Sequence, residues 1–118
     1  MAKDKNADLR NEYNLKISAK ERELTELKLE QKQAEKSFEE YEQSMEQSFR
    51  GILEIEENLN IRSHQPNAYS ETSYRRQGFS QRLNSLQAYR TQKYSQALQA
   101  LEDECETLQK EKDNLSWD

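Results

Sequence analysis

Residues 38–59, FEEYEQSMEQSFRGILEIEENL, decide how this chain folds. Read in steps of three and four, they give Phe38, Tyr41, Met45, Ser48, Ile52, Ile55 and Leu59, an apolar stripe on one face of a helix. Glu39, Glu40, Glu42, Glu46, Glu54, Glu56 and Glu57 fall mostly on the other faces. Water disfavours such a stripe, so a second helix must cover it.

Working back towards the N-terminus, the same period continues. One set of seam positions is Arg10, Ile17, Leu24, Gln31, Phe38, Met45, Ile52 and Leu59; the set three residues on is Tyr13, Lys20, Leu27, Ala34, Tyr41, Ser48, Ile55 and Arg62. Lys20 and Gln31 interrupt the early part. The spacing predicts a coiled-coil helix from about residue 8 to 62, roughly 75 Å long. It ends by Gln65, because Pro66 disfavours helical geometry in the residue before it. Residues from about 63 to 78, rich in Ser and Asn with Pro66 and Gly78, read as a polar connector, with Ser70 or Ser73 capping the next helix. That second helix is predicted from about 79 to 116. Its stripe is Phe79, Leu83, Leu86, Arg90, Tyr94, Leu98, Leu101, Cys105, Leu108, Lys112 and Leu115, with an added four-residue step at Arg90–Tyr94–Leu98.

Composition agrees with helices. Of the 118 residues, 32% are hydrophobic and 35% charged, with two Gly and one Pro, too few apolar side chains to wrap a compact core. Low hydropathy with a net charge of −5 is also a signature of disorder, but disordered chains hold no regular apolar period. The expectation is a single all-α domain, an antiparallel two-helix coiled-coil hairpin turning around Pro66.

Charge favours a hairpin over a long parallel dimer. Residues 39–57 carry seven Glu and one Arg, whereas residues 75–93 carry Arg75, Arg76, Arg82, Arg90 and Lys93 with no acid. Folding at the connector lays these blocks side by side; a parallel dimer stacks the acidic block on its own copy. The predicted register sets Phe38 near Leu101, Met45 near Tyr94 and Leu24 near Leu115. Phe49 and Leu53 lie off the seam, and Phe79, Leu83, Leu86 and Tyr89 make a similarly wide face on the second helix. Together these six are the candidate partner-binding residues, since a face wider than a two-helix seam suits a third helix.

No catalytic set, phosphate loop, cofactor site or metal cluster stands out. His64 is the sole histidine and reads as a loop-end residue; Cys105 is the sole cysteine and reads as a small seam residue. Tyr74, Arg75, Arg76, Arg82, Tyr89, Arg90 and Lys93 resemble a nucleic-acid surface in composition, but the acidic block of the same chain neutralises them and the pI is near 5.1. The start, Met1-Ala-Lys-Asp-Lys, has no apolar signal segment and no run reaches the ~20 residues of a membrane span. The expected location is the cytoplasm, with any export by a route that cleaves no signal peptide.

A small, acidic, glycine-poor hairpin with Phe38, Tyr41, Phe49, a central polar break and a Leu-rich second helix ending Leu115-Ser-Trp117 resembles one family. This is the group of small α-helical partners encoded beside LXG-domain toxins of the type VII (Esx) secretion system in Gram-positive bacteria. The resemblance implies a non-enzymatic adaptor or chaperone that binds the toxin's helical N-terminal domain and readies it for export. The WXG turn of Esx proteins is absent, Phe49-Arg-Gly51 being a faint echo before the break. The tail also lacks a Tyr- or Phe-x-x-x-Asp export signal, which implies that a second small helical protein carries it. The alternatives are a stalk or chaperone hairpin of another secretion machine and a homodimeric coiled-coil spacer.

Overall fold

The structure, a computed structural model, describes residues 6–63 and 67–115. Two helices account for nearly all of them: α1, Ala7–Ser63, and α2, Asn67–Asp113. Both are rich in Leu, Glu, Gln, Lys and Ala, residues that lose little side-chain freedom in a helix. The Arg10 N–H donates to the Asn6 carbonyl at 2.8 Å in the first turn of α1, where Asp8 also suits the positive end of the helix dipole. At the end of α2, Lys110 and Lys112 suit the negative end, and the Leu115 N–H closes a tightened turn on the Lys112 carbonyl at 3.1 Å. The fold is an all-α helical hairpin. His64 and Pro66, and with them the turn assigned to Pro66, lie outside the described residues, as does Trp117.

α2 begins at Asn67, not near Phe79. Residues 67–78 are helical, so positions 70 and 73 lie within the helix and not at its start. Glycine at position 78 costs helix stability but does not stop a helix flanked by good formers.

The chain divides into two compact units. The first combines Met1–Lys32 with Gln92–Asp118. Here the α1 seam is the expected heptad: Arg10, Tyr13, Ile17, Lys20, Leu24, Leu27 and Gln31 are half-buried or, for Ile17, buried. Opposite them stand Tyr94, Leu98, Leu101, Cys105, Leu108, Lys112 and Leu115, all half-buried at the expected spacing. Three polar seam residues reach acids across the helix pair. Lys20 Nζ meets Glu104 at 2.7 Å, the Tyr13 hydroxyl bonds Glu111, and the Tyr94 hydroxyl reaches Glu30 at 3.4 Å. These pairs run antiparallel. They also correct the register, because Tyr94 lies at Glu30 and not at Met45, and Tyr13 has a partner where an unpaired overhang is expected. The cause is the early start of α2, which slides its residues along α1.

The second unit is Gln33–Thr91. Its antiparallel contacts are Phe38 with Arg90, Tyr41 and Phe49 with Phe79, Glu46 with Arg76, and Glu56 with Thr72. Phe38 is thus set against Arg90, with the guanidinium carbon 4.1 Å from the ring centroid, and not against Leu101. This cation–π contact gives the seam arginine a place to rest its planar face.

Candidate functional site

Within the second unit the seam of α1 departs from the heptad that leads into it. After Phe38 the buried and half-buried positions are Met45, Glu46, Phe49, Leu53 and Glu56, while Tyr41, Ile52, Ile55 and Leu59 are exposed. Two successive four-residue steps, Met45–Phe49–Leu53, rotate the inward face by one position. The packing gain explains it. The strict heptad would place Ser48 inward, whereas the rotated seam turns Phe49 onto the Phe79 ring at 5.6 Å and buries Leu53 to 8% exposure. Burying a Phe and a Leu in place of a Ser and an Ile removes more apolar surface from water.

α2 supplies Thr72, Arg76, Phe79, Leu83, Gln87 and Arg90 to the same seam. Leu83 is 5% exposed; Leu86, expected on the seam, is 58% exposed because Gln87 turns inward in its place. Two polar bridges cross the seam. Arg76 forks onto the Glu46 carboxylate, its Nε donating to Oε2 at 3.1 Å and its Nη2 pairing with Oε1. The buried Thr72 hydroxyl donates to Glu56 Oε1 at 2.6 Å.

The six candidate partner residues therefore separate into two groups. Phe49, Leu53, Phe79 and Leu83 form the hairpin's own core in this unit, which corrects the expectation of an exposed edge at Phe49 and Leu53. Leu86 and Tyr89 are on the surface, Tyr89 at 60% exposure. The residues that reasoning from the sequence placed inside, Tyr41, Ile52, Ile55 and Leu59, join them there.

The exposed apolar residues of this group, Tyr41 and Leu59 apart, stand one position before a seam position: Ile52 before Leu53, Ile55 before Glu56, Leu86 before Gln87, Tyr89 before Arg90; Tyr41 shares the face of Ser48, seven residues on. One position is about 100° around a helix. The same rotational sense on two antiparallel helices brings both edges to one side of the pair. The Tyr41 ring lies 6.0 Å from Phe79 and fits this placement. On this side α1 presents Tyr41, Ser48, Ile52 and Ile55 and no charge; α2 presents Glu71, Arg75, Gly78, Arg82, Leu86 and Tyr89. The opposite side carries an open groove in which Glu39, Glu42, Gln43, Glu46, Arg50 and Ser80 surround Phe79 and Leu83.

Cys105 is half-buried in the first unit, and burial, then the nearby Glu21 and Glu104 carboxylates, push its thiol above the ordinary range. It is a packing residue with little thiolate at neutral pH. Among the described residues no cluster of His, Cys, Asp and Glu is placed to hold a metal ion, and no helix is long and apolar enough to cross a membrane.

Fold and surface thus define an all-α hairpin with an exposed apolar side. None of the protein families, curated proteins or solved structures compared with the chain matches it.

Proposed function

We propose that the protein is a non-enzymatic helical adaptor that holds the helical N-terminal domain of an LXG toxin for type VII export. The observation that carries the adaptor reading is the run Ile52, Ile55 and Leu59 on an uncharged edge of α1, each at least two-fifths exposed (Ile52 44%, Ile55 62%, Leu59 55%). Exposed apolar runs on a helix are the surfaces that other helices cover. The partner class comes from the family that the sequence resembles. A second small helical protein in the same complex would supply the export signal.

Co-expression with the LXG domain of a toxin encoded beside the gene tests the reading. The expected result is co-purification of the two chains through size exclusion, with the toxin domain soluble only in the adaptor's presence. An LXG domain that stays unbound, while this chain sediments as a homodimer, would replace the adaptor reading with that of a coiled-coil spacer.

A further inference from the structure

The exposed side of the second unit also carries information about the chemistry of its occupant. On α1 the residues of this face are Tyr41, Ser48, Ile52 and Ile55, all uncharged. On α2 the corresponding positions carry Glu71, Arg75 and Arg82 beside Leu86 and Tyr89. Arg75 is paired with Glu71 on its own helix at 2.7 Å. Arg82 forms no ion pair among the described residues, and its guanidinium lies along its own helix, 4.0 Å from where a side chain on Gly78 would begin.

A second copy of the chain would not satisfy this surface. Two copies related by a twofold axis can lay α1 on α1 and α2 on α2, which offers Arg82 the α2 edge of the copy, whose one acid, Glu71, already holds Arg75. They can also lay α1 on α2, which offers Arg82 only Tyr41, Ser48, Ile52 and Ile55. Neither arrangement brings an unpaired carboxylate to the guanidinium, because Glu71 is held by Arg75, and Glu39, Glu42 and Glu46 line the opposite side of the hairpin. Charge complementarity calls for a different helix, with acids along one flank.

We propose that this side of residues 33–91 is a docking groove for a third amphipathic helix, whose apolar seam packs on Ile52, Ile55 and Leu86 and whose carboxylate flank meets Arg82. The proposal deepens the adaptor reading, on which it rests, by naming the chemistry of the segment recognised. The groove is completed when the third helix closes over Tyr41 and Tyr89, converting a two-helix seam into a three-helix core.

The test uses the full-length protein and two synthetic helices of four heptads, with Leu at the two seam positions and either Glu or Lys at the flanking positions. Like charges on the flanks keep each probe from pairing with itself. Fluorescence anisotropy of the labelled probes should show the Glu probe binding at least tenfold more tightly than the Lys probe. Ile55→Asp and Leu86→Asp should each weaken the Glu probe at least tenfold with helicity unchanged, since both side chains are more than half exposed. Arg82→Glu should reverse the preference in favour of the Lys probe, a gain that mere unfolding cannot produce. Equal binding of the two probes, no binding of either, or undiminished binding to Ile55→Asp would overturn the proposal. So would a dimer of the protein alone that Ile55→Asp dissociates, since the groove would then belong to a second copy. Neither probe contains toxin sequence, so failure of the LXG domain to co-purify and failure of the groove are separate results.

Discussion

Thr72 shows how one side chain can hold two helices together. Its hydroxyl is buried and donates to Glu56 Oε1, while the buried Glu56 Oε2 has no hydrogen-bond partner among the described residues. Thr72→Val keeps the shape and removes the donor, leaving the carboxylate without that bond. The expected cost is about 1.5–3 kcal/mol in chemical denaturation, the range for a hydrogen bond to a charged group. A loss below about 0.5 kcal/mol would mean that water replaces the hydroxyl. Gly51 provides the opposite case, since a methyl group there would meet nothing within 4 Å. Gly51→Ala should therefore stabilise the hairpin by about 0.5–1 kcal/mol in the same assay through helix propensity alone. Neither role was legible in the sequence. Thr72 sits in a Ser- and Asn-rich run whose local signals favour a connector, and only tertiary pairing with Glu56 shows that it is core.

At the scale of elements, the two units differ in how readable they were. In the first, Ile17, Leu24, Leu98, Leu101, Cys105 and Leu108 keep a regular period with few apolar neighbours to compete, so the heptad identified the seam. In the second, Ile52 and Leu53 adjoin, as do Ser48 and Phe49, and periodicity alone cannot choose between adjacent apolar stripes. The packing of Phe49 on Phe79 makes the choice. Register was hidden for a related reason, because it depends on where α2 starts. Cysteines at Glu30 and Tyr94 in a Cys105→Ala background should be joined within one chain by a short bismaleimide, and a pair at Met45 and Tyr94 joined instead would restore the register expected from the heptads. The first unit also has an alkaline weakness. Desolvation and Glu111 raise the Tyr13 phenol, Glu104 raises Lys20, and burial raises Cys105. Folding thus tightens three protons, so these contributions are complete below the unfolded thiol value of 9.0. They are lost as pH rises past 9.0, 10.0 and 10.5 and through the higher folded values. Amide exchange should show protection in residues 6–32 and 92–115 falling between about pH 9 and 11, with a shallower fall in Tyr13→Phe combined with Cys105→Ala; unchanged slopes would remove these groups as the cause.

For the molecule as a whole, the decisive quantity is how little of it is enclosed. No described side chain is fully buried, and the buried apolar residues are Ile17, Leu53 and Leu83. Many seam positions hold polar groups, among them Arg10, Lys20, Gln31, Arg76, Gln87 and Arg90, whose interactions set register more than they add stability. Ordering each residue costs roughly 1–2 kcal/mol of backbone entropy, and a seam one side chain wide offsets that cost only narrowly. The isolated protein should therefore melt below ~65 °C, the upper end for mesophile domains, in a transition followed by circular dichroism. A ligand that binds the folded chain alone stabilises it by about 2.7 kcal/mol at a hundredfold excess over Kd. At several degrees per kcal/mol for a chain of this size, that corresponds to a rise of roughly 10 °C. The Glu-flanked helix should produce this rise in the wild-type protein and not in Ile55→Asp, whose own melting point should stay within a few degrees of wild type. An isolated chain that melts well above ~65 °C, or a rise that persists in Ile55→Asp, would show that the two-helix seam needs no third helix over Ile52, Ile55 and Leu86.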